Sequence, residues 1–382
     1  MPPKVSVASP GLLLARIRAA GGLTRQALLQ ETGMSRSTLY TRLDQLLGAG
    51  LLVESRSGSP TGGRPASMLT FDAADRVVLA LDLGHHLARV SVCSTEGVPL
   101  AERRVQTAAS SGIADVVASL SDIGHELLDG FDDQLIGVGV AIPAPVQTHT
   151  GIRWRSVALP DADYPMLDDL RRRFDTLVCL ENDARALALG TLPDGVELGD
   201  DDVLLAVKFS TGIGAGIMTG PAIMRGSTGS AGDIGHMRVT NGGAVCTCGA
   251  RGCLAATAAG RSLVRDAARD DIATVEDLRR LYQAGDPQVV ELVTSAAALL
   301  GRTLAGLAHA LNPAVIGIGG TLGSTPGVFE TIQTTIREFS ASRIHEHASV
   351  RLLDHQRSSV GLARLVTDTA FSPTRVDAML DE

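Results

Sequence analysis

From position 12 to position 47 the apolar residues recur at helical spacing. Residues 12–20 read as a short helix ended by Gly21 and Gly22. Thr24 is placed to cap a second helix over 25–31, with Leu28 and Leu29 turned inward. Thr32-Gly33-Met34 makes a tight turn and Ser35 caps a third helix. In that helix Leu39, Leu43, Leu46 and Leu47 fall at i, i+4, i+7 and i+8, one buried stripe closed by Gly48 and Gly50. Residues 51–54 and 67–71 then read as strands on either side of a Gly/Ser/Pro-rich excursion. Two helices joined by a glycine-containing turn and followed by a strand pair predict a winged helix-turn-helix.

From Val77 the texture changes to short apolar runs. Residues 77–81 form a strand running into Asp82-Leu83-Gly84. A second strand covers 87–93, a turn sits at Glu96-Gly97, and a third strand covers 98–105. A helix follows over 113–128 and a strand over 135–140. The opening recurs later: a strand at 203–209, the turn Ser210-Thr211-Gly212-Ile213-Gly214, and a strand to Thr219. Alternating strands and helices imply an α/β fold. Two strand–glycine turn–strand units in comparable places suggest two lobes that bring backbone amides close to an anion. The apolar helix 289–311, rich in small residues, fits a core or a subunit interface, and core is the expectation. No uninterrupted apolar run reaches the roughly 18–20 residues a membrane helix needs, and the first residues lack the apolar core of a signal peptide. A soluble, cytoplasmic protein is expected, with no membrane partner.

Charge sharpens the division between the two regions. Residues 1–70 hold eight basic and three acidic side chains, a balance of +5, while the whole chain stands at -8. A basic N-terminal region on an acidic body points to nucleic acid bound at the N-terminus. The residues expected to meet double-stranded DNA are Arg25, Ser35, Arg36, Ser37, Thr38, Tyr40, Thr41 and Arg42, around the third helix, and Arg64 in the Gly63-Arg64-Pro65 wing, which suits a narrow minor groove. A three-helix protein-interaction module with a charged face is the alternative.

Of five cysteines, three sit within eight residues. Cys246, Cys248 and Cys253 have the spacing C-x-C-x4-C, with His236 ten residues upstream. Three thiolates and an imidazole complete a tetrahedral set and leave no position open for chemistry, so a structural Zn2+ is expected. Three free cysteines in a glycine-rich loop is the other reading. Cys93 and Cys179 lie in apolar, strand-like runs and are expected in the core.

These segments together resemble the ROK family of repressors, open reading frames and sugar kinases, in its branch with an N-terminal winged helix. Glu181-Asn182-Asp183-Ala184 resembles the family's catalytic segment, whose aspartate is the sugar-hydroxyl base. Ala231-Gly232-Asp233-Ile234-Gly235-His236 resembles its sugar- and zinc-contacting segment. Cys246 to Leu254 resembles its zinc signature, and Asn312-Pro313-Ala314-Val315-Ile316 into Gly319-Gly320 its adenosine-side strand and turn. The resemblance implies an actin-like, ribonuclease-H-like two-lobed fold with the ligand in the cleft. It also implies ligand contacts at Asn182, Asp183, Asp233 and His236, and remnants of phosphate loops at Asp82, Gly84, Thr211, Gly212 and Gly214.

Several positions depart from the kinase pattern. The first turn is Asp82-Leu83-Gly84-His85-His86 instead of Asp-x-Gly-Gly-Thr. Ala158 stands at the nearest match to the substrate-loop asparagine. Asp233 and Ala255 stand where glutamates are usual. Each lost hydrogen-bond partner in a polar sugar site costs about 1–3 kcal/mol. The expectation is therefore not an enzyme but a transcriptional regulator, a repressor, with Asp183 a vestigial base and a sugar or sugar phosphate as effector. A bifunctional ATP-dependent sugar kinase that also binds DNA is the alternative, and a cleft without any ligand is a third reading. Asp183 also suits the N-cap of the helix it precedes. His85 and His86 are expected to pack or face solvent. A homodimer or higher homo-oligomer is expected, because winged-helix heads commonly read paired half-sites. The expected domains are the winged helix at 1–72, a smaller lobe at 73–180 plus 358–382, and a larger, zinc-bearing lobe at 181–357.

Overall fold

A computed structural model of the 382-residue chain describes residues 9–56, 67–107, 112–131, 134–147, 152–153, 163–191, 198–354 and 356–381. Two compact units divide it, 77–365 on one hand and 1–76 with 366–382 on the other.

The head begins with α1 (Pro10–Ala19), β1 (Leu23–Thr24), α2 (Arg25–Thr32) and α3 (Arg36–Gly48), followed by β2 (Leu52–Arg56) and β3 (Ser67–Phe71). Local chemistry sets the helix starts: the Thr24 hydroxyl accepts from the Ala27 amide at 3.1 Å and Ser35 from that of Thr38 at 3.2 Å. Gly33 takes the left-handed conformation, φ 64°, that turns α2 into α3. Leu28, Leu39, Leu43 and Leu46 are buried, as are Leu13, Leu14 and Ile17 of α1, while Leu47 is half-buried. Each fully buried side chain of this kind contributes about 1.5–3 kcal/mol. The strands pair in the order β1-β3-β2, the antiparallel ribbon of a winged helix.

The body holds two sheets. The first is built from β4 (Val77–Leu83), β5 (Leu87–Ser94), β6 (Pro99–Gln106), β7 (Leu135–Ile142) and, beyond the short pair β8 (Val146–Gln147) and β9 (Ile152–Arg153), β10 (Val178–Asn182). The helices α4 (Ile113–Leu128) and α5 (Met166–Phe174) belong with it, and α6 (Asp183–Thr191) leads out of β10. The second sheet is built from β11 (Val203–Phe209), β12 (Ile213–Thr219) and β13 (Ala222–Ile223), then β14 (Val315–Gly319) and β15 (Ser349–Leu352). Its helices are α7 (Leu254–Ala258), α8 (Gly260–Ala267), α9 (Val275–Gln283), α10 (Pro287–Leu311), α11 (Val328–Phe339) and α12 (Ser342–His345). The strand orders are β10-β7-β4-β5-β6 and β15-β14-β11-β12-β13, and in each the first hairpin is antiparallel and the later strands parallel. One topology is thus used twice, as an actin-like two-lobed ATPase fold requires.

The helix α10 is long and apolar enough to cross a membrane by length and composition, which the reading of uninterrupted apolar runs missed because Glu291 and Arg302 punctuate it. Its buried residues Val289, Val293, Ala297, Leu300, Leu304 and Ala308 belong to the core of the second sheet. Asp286 caps its start and Asn312, at φ 45°, ends it before Pro313.

Two helices close the chain, α13 (Arg357–Ala370) and α14 (Pro373–Asp381). The expected lobe boundary assigned 358–382 to the body; the compact units instead part at 365/366, and the last residues count with the head. Their partners explain this. Asp368 pairs with Arg18 at 2.9 Å, the Phe371 ring meets Phe71 edge-on at 4.9 Å, and the Asp377 carboxylate accepts from the Gly11 amide at 2.8 Å. Arg18 and Arg76 stack on the two phenylalanines, which no local sequence pattern announces.

Candidate functional site

The junction of β10 and α6 builds one wall of a cleft of about 640 Å³. Asn182 caps the helix, its side-chain oxygen accepting from the amides of Ala184 at 3.0 Å and Arg185 at 3.2 Å, while its Nδ2 donates to the Ala144 carbonyl at 3.1 Å. The capping role foreseen for Asp183 therefore falls mainly to its neighbour. Asp183 Oδ1 accepts from the Ala184 amide at 2.8 Å, and Oδ2 lies 3.0 Å from Lys208 Nζ. Lys208 comes from β11 and also approaches Asp82 Oδ1 of β4, at 3.9 Å. Burial works against the Lys208 ammonium, but Asp183 and Asp82 outweigh it and hold its pKa above the ordinary lysine value.

Behind this wall lies a buried ion network. Glu181 and Arg185 are fully buried and meet at 2.6 Å, and Arg225 reaches the other carboxylate oxygen at 2.9 Å. Arg185 also donates to the carbonyls of Gly229 at 2.8 Å and Val146 at 2.7 Å, so its five-donor fork ties together the β7–β8 segment and the loop after β13.

Among the residues expected to hold a ligand or a phosphate, Gly84, Asn182, Asp183, Thr211, Gly212, Gly214, Asp233 and His236 line this one cleft; Asp82 stands behind it, against Lys208. The sequence reading missed Lys208, Arg185 and Arg261. His85 lines the cleft as well, while His86 is exposed. Burial first, and then the positive charges of Arg261, His86 and Lys208, lower the His85 pKa to about 4. The signal for Lys208 was present as a charged residue inside an apolar strand, two residues before the turn begins.

On the far side of the cleft, the side-chain donors of His236, Cys246, Cys248 and Cys253 all lie within 4.8 Å of one another. Cys246 Sγ is 3.3 Å from His236 Nδ1, and the sulfurs of Cys248 and Cys253 are 3.7 Å apart. The loop is shaped by the Cys246 amide donating to Ala250 and the Gly249 amide to Cys246. Gly252 is required: a Cβ there would come within 2.0 Å of the Thr240 carbonyl. The cluster could hold a metal ion. His236 Nε2 faces away from the sulfurs, 3.8 Å from Asp233 Oδ1.

In the head, α3 exposes Ser35, Arg36, Ser37, Thr38, Tyr40 and Thr41, with Arg42 half-exposed. Arg36 has no ion pair among the described residues. Arg25 is paired with Glu54 and stacks over Tyr40 at 5.5 Å, and that pairing raises its pKa. Arg64 lies outside the described residues.

The description that fits residues 78–369 is that of the ROK family. The chain belongs to the ROK family. A glucokinase of Halalkalibacterium halodurans is 28% identical over 300 residues, 73% of this chain and 91% of that one. The xylose repressor of Bacillus subtilis is 24% identical over 369 residues, 94% of each chain. The crystal structure of a ROK family transcriptional regulator, a homolog of the E. coli MLC protein, matches with a TM-score of 0.78 at 21% identity, over 97% of this chain and 98% of that one. The ROK match begins where β4 begins, so the winged-helix head precedes it. Two departures from the ROK kinase pattern sit in the cleft. Asp233, one methylene shorter than glutamate, has its pKa raised by burial, with His236 pulling the other way. Ala255 presents a methyl group to the cleft. Ala158 lies outside the described residues.

Proposed function

We propose that this ROK protein is a DNA-binding transcriptional repressor whose head reads an operator and whose cleft senses a sugar or sugar phosphate without phosphorylating it. The observation that carries the reading is the exposed face of α3, where Arg36, Ser37, Thr38 and Thr41 stand free of the core at the start of a helix built to enter a major groove. The repressor named among its relatives matches nearly the whole chain, head included. A homodimer is expected to present two heads to paired half-sites.

The donor set of the metal cluster suits a structural Zn2+. In a tetrahedral site with Zn–S bonds near 2.3 Å, sulfurs stand about 3.8 Å apart, and Cys248 and Cys253 already do. Four protein ligands would leave no open coordination position. His236 would bind through Nδ1, which places the imidazole proton on Nε2, toward Asp233 and the cleft.

The test starts with selection of a binding sequence from a random duplex library by the full chain, followed by mobility shifts. Arg36→Ala combined with Arg64→Ala is expected to weaken binding at least tenfold, since a base or groove contact is worth about 1–3 kcal/mol. An unchanged shift would overturn these contacts, and enrichment of no sequence would overturn the regulator. The second reading, a bifunctional kinase, is favoured by Asp183 facing the cleft beside the Ser210–Gly214 turn. Hexose-dependent ADP release that Asp183→Asn abolishes would establish it.

A further inference from the structure

Lysine occurs twice in this chain, at positions 4 and 208, although lysine and arginine together number 34. The one in the body stands between two carboxylates of the other sheet's half, 3.0 Å from Asp183 and 3.9 Å from Asp82. Asp82 Oδ1 is buried and makes no hydrogen bond among the described residues; the Lys208 ammonium and, across the β4–β5 pair, the Arg89 guanidinium are counter-charges near it. A guanidinium is a planar fork that prefers to grip one carboxylate with two bonds. An ammonium is a compact point charge that can serve two at once.

In phosphoryl-transfer enzymes a pair of cleft oxygens of this kind helps to hold the divalent ion that bridges the phosphates of the donor. Here that place is filled. A divalent cation brought between the same carboxylates would stand within a few ångströms of Lys208, where like charges repel strongly at the effective dielectric of a protein surface. Resting on the sensor reading above, we propose that Lys208 is a built-in counter-cation that excludes divalent metal from the cleft, so that the site takes its ligand without Mg2+ and cannot assemble a metal-bridged phosphoryl donor. The residues present therefore do not fit the metal on which kinase chemistry depends.

Mn2+ itself is the probe, titrated into the zinc-loaded full chain and followed by its electron paramagnetic resonance signal. Wild-type protein and Lys208→Arg are expected to show no Mn2+ bound in the cleft. Lys208→Met, which keeps the length of the stem and removes the charge, is expected to bind one Mn2+ at least tenfold more tightly than wild type. Adding Asp183→Asn to it should return the affinity to the wild-type level. Lys208→Gln serves in the same comparison if the methionine variant does not fold. Wild-type binding of Mn2+ as tight as that of Lys208→Met would overturn the proposal. So would a folded, charge-deleted variant that binds none. The readout involves no DNA, so it fails independently of the regulator reading, which stands or falls on operator selection.

Discussion

The two halves of the body run the same strand–turn–strand and diverge where the turn begins. The strands β4 and β11 are each seven residues long, and each pairs antiparallel with the strand that follows. The sixth residue is Asp82 in the first and Lys208 in the second, so the duplicated scaffold places opposite charges at equivalent positions, 3.9 Å apart. The turns differ as well. The first is narrow and carries His85 into the cleft; the second, Ser210 to Gly214, is open and has the Arg261 guanidinium beside it. A repeated backbone gives a two-sided cleft, and the side chains at matched positions decide whether that cleft can host metal-dependent chemistry.

The strongest way to break the relation between the halves is to remove the side chain that ties them. Arg185 is buried and holds Glu181, the Val146 carbonyl and the Gly229 carbonyl at once. Arg185→Met would leave Glu181 buried with Arg225 and the Asn182 backbone amide as its remaining partners. Truncating one member of a buried ion pair costs about 3–5 kcal/mol. Chemical denaturation should show that loss, with the body unfolding well before the wild type. A loss under 1 kcal/mol would mean that water or Arg225 replaces the lost donors.

A smaller effect separates the two turns. A Cβ on Gly84 would stand 2.4 Å from the Leu87 carbonyl, which already accepts from the Gly84 amide, whereas a Cβ on Gly212 would meet nothing nearer than Arg261 at 4.0 Å. Gly84→Ala should therefore destabilise by about 1–3 kcal/mol, and Gly212→Ala by no more than about 0.5 kcal/mol. Denaturation midpoints of the two variants, measured side by side, give the answer. Equal losses would mean that the first turn is no tighter than the second.

What was legible in the sequence follows the range of the forces involved. The caps at Thr24 and Ser35, the stripe of α3, and the strands expected at 77–81 and 203–209 are set by neighbours within a few residues, and they stand where the pattern put them, the first running on to Leu83. The four donors of the metal cluster lie within one loop and its upstream histidine, and spacing alone gathered them. The pairing of Lys208 with Asp183 and Asp82 depends on two sheets facing each other, which no local period encodes. The exchange of the capping role between Asp183 and Asn182 is a one-residue matter, decided by where β10 stops, and propensity cannot resolve it. The attachment of 366–382 to the head rests on Asp368, Phe371 and Asp377, each with a partner hundreds of positions away.

The finest distinction between the turns is carried by protons. His85 has a folded-state pKa of about 4, below the ordinary histidine value of 6.5, because burial and the charges of Arg261, His86 and Lys208 disfavour its cation. Between these two values the unfolded chain takes up a proton at this position that the folded chain refuses. Stability contributed by neutral His85 is therefore fully present above about pH 6.5, is lost as the pH falls toward 4, and changes no further below that. His85→Asn removes this linkage, so the variant should lose less stability than wild type between pH 7 and pH 4.5. His86→Asn removes one of the charges that lower the His85 pKa, so its curve should fall between those of wild type and His85→Asn. The measurement is reversible denaturation of the three proteins across that interval, and the quantity that matters is the difference between their slopes, since carboxylates elsewhere titrate alike in all three. If His85→Asn and wild type lose stability in parallel, the imidazole accepts its proton freely in the folded cleft, and the cations of the second half do not reach across to the first turn.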